Sequence, residues 1–350
     1  MTVAWYRASD AAHGKDRLLL SRKIRIGLLT ALAVAALLLA ILALTARTQP
    51  IANLPSLILA VGSPYVSLVA LAGFVVAASC RRRILAVFAV LVLTATLAVQ
   101  ISWYYLGRPP DIAAYQDIRV LSSNLRHGNA DPTFLVDLAE HNADVITVAE
   151  LTPEEVQRLR QTGIDKTFPY SHLIPAPGAG GIGMWSRYPL TVLSEPRHRR
   201  VSIPAARLEV PGLRFEPLLA SVHVYSPVAG EANTIADWRG GMAGAKVQLD
   251  SFAKTAGSAA VIIGGDYNST PDMRQFRDLL TNGYRDAVQE SGSGFAPTFP
   301  SNRRFPPVLT IDHVLTRNAT ASSVRTIEVP GSDHRALLAT VRVPVDPTAS

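Results

Sequence analysis

The fold of this chain is decided by residues 259–268, with the sequence AAVIIGGDYN. Five apolar residues followed by two glycines predict a buried strand that ends in a turn. Asp266 and Asn268, two residues apart, would point to the same side of an extended backbone. Aspartate can orient a water or bind a metal, and asparagine can donate a hydrogen bond to a phosphoryl oxygen. Such a pair alone is most often a simple turn, so its meaning depends on partners elsewhere.

Partners of this kind occur at the ends of other strand-like runs. They are Ser123-Asn124-Leu125, Ala149-Glu150, Ser221-Val222-His223, Ile311-Asp312-His313 and Ser332-Asp333-His334. Polar residues at the ends of several buried strands favour a common site at one edge of a sheet.

The first two partners belong to a strand, helix, strand pattern. Ile118–Ser122 and Asp144–Val148 have the apolar character of strands, and Thr133–His141 between them has helical spacing. Two strands joined by one helix form a parallel pair. We therefore expect Asn124 and Glu150 at the same edge of a sheet.

The rest of the C-terminal part continues the alternation of strands and helices. We predict a strand followed by a turn within residues 180–190, strands at Leu218–His223, Val308–Ile311 and Ala336–Val343, and a helix at Trp238–Ala256.

The N-terminal third contains three long apolar runs. Ile26–Ala46 has 21 residues without a charge, Pro55–Ser79 is interrupted by Pro64, and Ile84–Leu106 closes with interfacial aromatic residues. A helix of about 20 residues crosses the hydrocarbon layer of a membrane, and a proline is expected to kink it. We predict three transmembrane helices at about 26–46, 57–79 and 84–106. The membrane domain would cover residues 1–110 and a catalytic domain residues 111–350.

Charge is distributed unevenly between these two parts. Residues 1–108 hold 11 Lys and Arg against 2 Asp and Glu, a net of +9, and residues 109–350 hold 23 against 25, a net of −2. The basic lead and the Arg81-Arg82-Arg83 loop predict a cell-membrane protein with a cytoplasmic N-terminus and an extracytoplasmic C-terminal domain. That domain lacks the basic excess of a nonspecific DNA binder. The cluster at residues 197–200, RHRR, could meet a phosphate or a membrane surface, but is more typical of a solvated loop.

Residues 117–345 resemble the endonuclease/exonuclease/phosphatase superfamily, which includes type I deoxyribonuclease and neutral sphingomyelinases. The resemblance rests on an ordered set of motifs: Asn124-Leu125, Glu150, Ser186-Arg187-Tyr188-Pro189, His223, Gly265-Asp266-Tyr267-Asn268, Thr298-Phe299-Pro300, Ile311-Asp312-His313 and Ser332-Asp333-His334. It implies an α/β (α+β) four-layer sandwich of the DNase I-like type, in which two mixed β-sheets pack face to face between helices. It also implies divalent-metal-dependent hydrolysis of a phosphate ester. Ala149 and Tyr267 replace the Gln and Phe of many members, which affects local packing only.

The resemblance assigns roles to eight polar residues of the motifs. Glu150, a hard oxygen donor suited to Mg²⁺ or Mn²⁺, would be the main metal ligand. Asn124 would help to hold the metal or the phosphate, and Asp333 would add a ligand at a second position. These three residues are the predicted metal site.

The remaining motif residues would act on the substrate. His334 is expected to be a general base or a phosphate contact, with its ring oriented by Asp312. Asp266 would align the attacking water, and Asn268 and His223 would stabilise the phosphoryl oxygens.

Two further histidines lie next to these motifs. His313 is expected to be structural, whereas a contact of His127 with the substrate is open but not favoured. Taken singly, His223 and Asp312 also fit an ordinary strand end and a turn.

Membrane anchoring narrows the substrate class. A site tethered outside the bilayer meets lipid head groups at high effective concentration. The arrangement resembles bacterial membrane phosphohydrolases of the teicoplanin-class glycopeptide resistance type, which implies a lipid-linked phosphate or diphosphate such as undecaprenyl diphosphate. The alternatives are an anchored extracellular nuclease acting on nucleic acid, a sphingomyelinase-like phosphodiesterase and a non-catalytic membrane-bound interaction module.

Overall fold

The computed structural model describes residues 2–110, 114–194, 201, 203–229 and 234–348, with side chains from residue 20 onward. The chain divides into two compact units. The first consists of Met1–Gln49 and Ile58–Val99, and the second of Pro50–Leu57 and Gln100–Ser350. The basic cluster at 197–200 lies outside the described residues, so its role stays a prediction.

The N-terminal third forms apolar helices. They are α1 (Thr2–Thr48), α2 (Leu54–Val61), α3 (Val66–Ser79) and α4 (Arg83–Tyr104). Leu20–Thr48 and Arg83–Tyr104 are each long and apolar enough to cross a membrane, whereas Leu54–Val61 and Ser63–Ser79 are bent by 46° at a break. Pro64 lies in the short 3₁₀ turn after that break, in agreement with the expected kink. The described residues therefore contain two candidate spans, or three if the bent pair counts as one, and not clearly the three predicted.

Small residues allow α1 and α3 to pack closely. A Cβ on Gly73 would lie 3.2 Å from Leu37 Cδ2 and 3.4 Å from the Ala33 carbonyl oxygen. Ala40 of α1 and Ala70 of α3 are completely buried. Close approach over glycine and alanine is the usual way in which helices associate in lipid.

The second unit is a sandwich of two mixed sheets. Its described strands are β1 (Tyr115–Asn124), β2 (Val145–Ala149), β3 (Tyr170–Ile174), β4 (Ile182–Ser186), β5 (Leu190–Val192), β6 (Ala205–Leu208), β7 (Leu218–His223), β8 (Val261–Asp266), β9 (Arg285–Asp286), β10 (Asp312–Arg317), β11 (Thr320–Glu328) and β12 (Arg335–Pro344). The strand orders are β11-β12-β1-β2-β4-β3 and β5-β6-β7-β8-β10-β9. The pairs β1–β2 and β7–β8 are parallel, and the other described pairs are antiparallel.

Helices flank these sheets and connect the parallel strands. They are α5 (Pro132–Asn142), α6 (Pro153–Thr162), α7 (Ile164–Thr167), α8 (Thr234–Ala256), α9 (Arg274–Arg277) and α10 (Ala287–Ser291). α5 connects β1 to β2, and it begins where predicted because Asp131 Oδ1 accepts from the backbone N–H groups of Thr133 and Phe134. Buried Leu121, Ile146 and other residues of the first sheet pack with apolar side chains of α5 and α6. The predicted sandwich of two mixed sheets between helices is thus confirmed.

The backbone differs from the sequence-based predictions at two places near the expected site. The predicted strand at Val308–Ile311 is wrong, because β10 begins at Asp312 and the described pairing before it is one isolated bridge between Phe299 and Leu309. Asn268 has φ +46°, so the backbone after β8 turns and does not continue extended.

Candidate active site

The ends of two parallel strand pairs place the predicted residues at one edge of the sandwich. β1 ends at Asn124, opposite Ala149 at the end of β2, and Glu150 follows directly. In the other sheet, β7 ends at His223, opposite Asp266 at the end of β8. Since the carboxyl ends of parallel strands lie at the same edge, each pair presents two polar side chains there.

The side-chain amide of Asn124 connects the two sheets. Its Nδ2 donates to Glu150 Oε1 at 3.1 Å and to Asp266 Oδ2 at 3.0 Å. Its Oδ1 accepts from the backbone N–H of Arg126 at 2.8 Å, which fixes the orientation of the amide. Asn124 is buried, so these hydrogen bonds are shielded from water and hold the two carboxylates near each other.

Glu150 and the turn beside it adopt left-handed backbone conformations. The φ angles are +58° at Glu150, +48° at Arg126 and +54° at His127. Non-glycine residues persist in this region only where the surroundings hold them, and they cluster at functional sites. Glu150 Oε2 accepts from the His127 backbone N–H at 2.8 Å and lies 3.2 Å from His127 Nε2. The Glu150 side chain is 15% exposed, so its carboxylate faces the solvent-accessible side of the site.

Asp312 orients the imidazole of His334. Asp312 lies opposite Asp266 in the β8–β10 pair, and its Oδ2 is 2.8 Å from His334 Nδ1. His334 Nε2 lies 3.8 Å from Asp266 Oδ2. Burial alone would lower the pKa of His334, but the carboxylates of Asp312 and Asp266 outweigh it and raise the pKa to about 10. The ring is therefore protonated at neutral pH, and Nδ1–H donates to Asp312.

Asp266 is buried between the two sheets. Burial and the neighbouring Asp312 carboxylate raise the pKa of Asp266 to about 6. Its Oδ1 accepts from the backbone N–H of Asn268 at 2.7 Å, and its Oδ2 lies 3.2 Å from Asn268 Nδ2. The two side chains thus lie together as the sequence predicts, although a turn and not an extended segment brings them there.

His223 faces both carboxylates. Its Nε2 is 3.8 Å from Glu150 Oε1 and 3.8 Å from Asp266 Oδ2. Its Nδ1 lies 3.0 Å from the carbonyl oxygen of Ala179. Because a carbonyl oxygen can only accept, Nδ1 carries a proton, and Nε2 is the ring atom directed at the site.

Asp333 lies beside the exposed turn of the site. Its Oδ2 is 3.9 Å from Arg126 Nε, and its side chain is 28% exposed. Its backbone carbonyl accepts from the N–H of Ser301 at 2.7 Å. Asp333 is thus more accessible than Asp266 or Asp312.

Three contacts in series connect Glu150 to His334. They run through Asn124 and Asp266 and measure 3.1, 3.0 and 3.8 Å, so the carboxylate and the imidazole are within about 10 Å of each other. Groups at this separation can act on one phosphate ester and its attacking water.

Three residues support the site without a role that the sequence assigned to them. Ser332 Oγ donates to the Asn124 carbonyl oxygen at 2.8 Å and accepts from the His334 N–H at 3.0 Å. The Phe299 ring lies 4.9 Å from the His334 ring, and Thr298 Oγ1 accepts from the Asp312 N–H at 3.4 Å. All three belong to motifs of the family resemblance, at residues 298–300 and 332–334, and this is the feature of the sequence that points to them.

His313 fits the expected structural role. It is fully buried, with Nδ1 2.6 Å from Asp286 Oδ2 and Nε2 2.9 Å from the Ser269 carbonyl oxygen. Both ring nitrogens are therefore occupied by the interior of the fold.

The donor atoms at this edge fit a hard divalent cation. Ligand atoms of Asp266, Asp312 and His334 all lie within 4.8 Å of one another, and Asp312 Oδ1 is buried without a hydrogen-bond partner among the described residues. His334 Nδ1 is held by Asp312 Oδ2, however, whereas the Glu150 carboxylate is partly exposed. The oxygen-rich donor set suits Mg²⁺ or Mn²⁺, and the choice of Glu150, Asn124 and Asp333 as ligands stays a prediction.

A profile of the Endonuclease/Exonuclease/phosphatase family matches residues 121–334. The match covers more than half of the chain and includes every residue of the site described above. The chain therefore belongs to the endonuclease/exonuclease/phosphatase family, whose members are phosphoesterase hydrolases that depend on divalent metals. No curated protein matches the sequence.

Solved structures share the fold at low sequence identity. Humanized TDP2 from D. rerio is 18% identical with a TM-score of 0.51, over 64% of this chain and 98% of that one. D. rerio TDP2 complexed with single strand DNA product is 19% identical with a TM-score of 0.50, over 65% and 99% of the two chains. The 3′ phosphatase NExo from Neisseria, bound to a product DNA hairpin, is 16% identical with a TM-score of 0.50, over 63% and 98%. These similarities establish a DNase I-like fold for the second unit.

Proposed function

We propose that this protein is a membrane-anchored, metal-dependent phosphohydrolase with an extracytoplasmic active site, acting on a lipid-linked phosphate or diphosphate such as undecaprenyl diphosphate. The observation that carries the proposal is the bridge made by Asn124, which holds Glu150 and Asp266 together beside a charged His334. Acidic, amide and cationic groups at one point are what hydrolysis of a phosphate ester requires.

Glu150 would hold the metal ion, with Asn124 and Asp333 as further ligands. When bound, Mg²⁺ or Mn²⁺ supplies positive charge that neutralises the phosphoryl oxygens as the ester bond breaks. For Asn124 to contribute, its side-chain oxygen would have to exchange its hydrogen bond with Arg126 for the ion.

Asp266 is suited to accept a proton from the attacking water. A base works best when its pKa lies near the working pH, and the pKa of Asp266 is raised to about 6 by burial and Asp312. Asn268 fixes the carboxylate through its backbone N–H. Asp266 would thereby align the water and accept its proton.

His334 is suited to contact the phosphate. Its pKa of about 10 keeps Nε2–H in place, so the ring donates a hydrogen bond and a positive charge to a phosphoryl oxygen. Of the two roles expected from the sequence, this protonation state favours phosphate contact over general base. His223 Nε2, on the other side of Asp266, would face a second phosphoryl oxygen.

The apolar helices favour a lipid substrate. Two of them are long and apolar enough to span a membrane, and the C-terminal domain has a net charge of −2. A head-group phosphate is concentrated at the bilayer surface, whereas a polyanionic nucleic acid is attracted by a basic groove. A nuclease is the second candidate, because the similar TDP2 and NExo structures hold DNA products.

The test compares the two substrates on one preparation. The full chain, purified in detergent with Mg²⁺, is given undecaprenyl diphosphate or DNA, and released phosphate and released nucleotide are measured side by side. We expect phosphate release that a chelator abolishes, that Mg²⁺ restores, and that Glu150→Ala and His334→Ala reduce by about 10³-fold or more. His141→Ala, at an exposed position on α5, is the matched control and should leave the rate unchanged.

Each other outcome selects a different function. Nucleotide release without phosphate release would replace the proposal by the nuclease. Cleavage of sphingomyelin alone would indicate the sphingomyelinase-like phosphodiesterase. If none of these substrates is cleaved and calorimetry with Mg²⁺ detects no binding, the protein is a non-catalytic module.

A further inference from the structure

Two segments next to the apolar helices form part of the catalytic unit. Ile51, three residues after the end of α1, is completely buried. Its backbone N–H donates to Gln275 Oε1, and its carbonyl accepts from Gln275 Nε2, each at 3.2 Å. Gln100, near the end of α4, donates through Nε2 to Asp272 Oδ1 at 3.2 Å. The Gln100 segment thus binds the loop that follows β8, and the Ile51 segment binds the short helix α9 after that loop.

The chain after Gln100 runs away from the active site. Tyr104 accepts from the Gly294 N–H at 2.8 Å and stacks edge-on against Phe295, with ring centroids 5.2 Å apart. Gly107 then packs against the backbone of residues 289–292, so closely that a Cβ would lie 2.1 Å from the Gln289 carbonyl oxygen.

Residues 289–292 mark the end of the sandwich opposite the site. Glu290 Oε2 accepts from Thr316 Oγ1 and from the Ala321 N–H, near the end of β10, whereas Asp312 begins β10 at the site. On leaving α4 the chain therefore passes from the site end of the sandwich to the opposite end. Ile51 and Gln100, where the chain enters the second unit, both lie at the site end of the sandwich.

Exposed apolar and basic residues lie in two loops that adjoin the site. Tyr225 and Val228, in the loop after His223, are 52% and 66% exposed. The neighbouring Val224 carbonyl accepts from Asn268 Nδ2, so this loop adjoins the reacting groups.

A second loop on the rim combines an aromatic residue with two cations. Arg303 and Arg304 are exposed, and Phe305 is 53% exposed. The loop begins at Phe299 and Ser301, which contact His334 and the Asp333 carbonyl. Aromatic residues flanked by arginines are suited to the head-group region of an anionic membrane, because the ring enters the acyl boundary while the cations meet lipid phosphates.

We propose that this rim, formed by Tyr225, Val228 and Arg303-Arg304-Phe305, lies against the anionic bilayer surface. The contacts of Ile51 and Gln100 within the second unit and the composition of the rim favour the same orientation. The substrate then enters the site directly from the head-group layer. This inference rests on the proposed function for the identity of the substrate only.

Depth-dependent quenching tests the rim directly. In the full chain with Cys80→Ala, Phe305→Cys is labelled with bimane and reconstituted in nanodiscs containing phosphatidylglycerol and nitroxide-labelled lipid. Val247→Cys, at a position of α8 that is 63% exposed, is the matched control. We expect quenching at 305 to exceed that at 247 several-fold and to weaken when phosphatidylcholine replaces phosphatidylglycerol. Equal quenching at the two positions would overturn the proposal.

Kinetics on a lipid substrate and on a soluble substrate distinguish membrane docking from the chemical step. Arg303→Glu with Arg304→Glu should raise KM for undecaprenyl diphosphate in phosphatidylglycerol vesicles about tenfold or more, and leave kcat/KM for p-nitrophenyl phosphate unchanged. An equal loss on both substrates would place the arginines in the chemistry and contradict docking. If the wild-type chain cleaves no lipid phosphate, the proposed function fails while the quenching result still decides the orientation.

Discussion

Two buried aspartate–histidine pairs lie close together in this fold and differ in what the imidazole can reach. Asp312 holds His334 at 2.8 Å, and His334 Nε2 then faces Asp266 and the site. Asp286 holds His313 at 2.6 Å, but His313 Nε2 contacts the Ser269 carbonyl in the interior. An aspartate–histidine pair thus positions a reacting group in the first case and stabilises a buried loop in the second.

Amide substitution of the two aspartates should separate these roles. Asp312→Asn removes the charge that keeps His334 protonated, so we expect kcat to fall by about 10²-fold or more with a small change in Tm. Asp286→Asn should instead lower the free energy of unfolding by about 2–4 kcal/mol, because it weakens a fully buried pair, and leave kcat of the folded fraction nearly unchanged. Steady-state kinetics and thermal unfolding of both variants decide this. Equal kinetic effects would contradict the assignment.

Glu155 is a buried carboxyl group with an unusual protonation range. It lies under the turn of residues 126–129, in contact with Arg158. Burial raises the pKa of Glu155 from 4.5 to about 7, although Arg158 opposes the shift. The folded protein therefore keeps this proton up to about pH 7, whereas the unfolded chain releases it near pH 4.5.

The pH dependence of stability should reflect Glu155. Between pH 4.5 and 7 the folded state binds more protons than the unfolded state, so the contribution of Glu155 is present below pH 4.5 and is lost as the pH rises to 7. In the wild type, the free energy of unfolding should fall between pH 4.5 and pH 7, and we expect Glu155→Gln to reduce this fall by about 1–3 kcal/mol. Unfolding in detergent across that pH range measures it. Glu154→Gln, exposed on the same helix, is the control. A wild-type slope retained in Glu155→Gln would show that another group is responsible.

At the scale of the elements, two glycines of β8 allow close packing, Gly265 within its own sheet and Gly264 between the two sheets. A Cβ on Gly265 would lie 1.9 Å from the Val222 carbonyl oxygen of the adjacent β7. A Cβ on Gly264 would lie 2.4 Å from Thr147 Oγ1 of β2 in the opposite sheet. The first contact is with backbone and has no room to relax, whereas the second is with a side chain.

Thr147→Ala should therefore offset the destabilisation that Gly264→Ala causes. We expect the single substitution to destabilise the protein by about 1–3 kcal/mol through overpacking, and Thr147→Ala to relieve it with a coupling of about 1 kcal/mol or more in a double-mutant cycle. Gly180→Ala, where the new Cβ would meet Ala176 at an ordinary 3.4 Å, is the control for added volume. If the two substitutions have additive effects in the cycle, the contact between residue 264 and Thr147 is not the cause of the destabilisation.

At the scale of the whole molecule, Cys80 is a natural reporter of topology. It is the single cysteine of the chain and directly precedes the basic loop at residues 81–83. If that loop is cytoplasmic, as its charge predicts, a membrane-impermeant maleimide should label Cys80 in intact cells only after permeabilisation. Asn318→Cys in a Cys80→Ala background, at an exposed end of β10, should be labelled without it. The reverse pattern would invert the topology.

Sequence alone determined the class of the fold and the composition of the site. Apolar runs, strand alternation and the order of motifs are local properties, so they predicted the helices of the N-terminal third, the β1–α5–β2 unit and the strand at residues 218–223. The same local patterns placed Asn124, Glu150, His223 and Asp266 at strand ends. They also predicted a kink at Pro64 in the second apolar segment, but not its angle of 46°.

Tertiary structure alone decided which side chains touch. The prediction that Asp312 ends a strand was wrong because the antiparallel β8–β10 register places the start of β10 opposite the end of β8. The hydrogen bonds of Asn124 to both carboxylates and the contacts of Ile51 and Gln100 with α9 and the loop after β8 join residues more than a hundred positions apart in most cases. Such distances depend on how sheets and chain segments pack, and no local pattern encodes that packing.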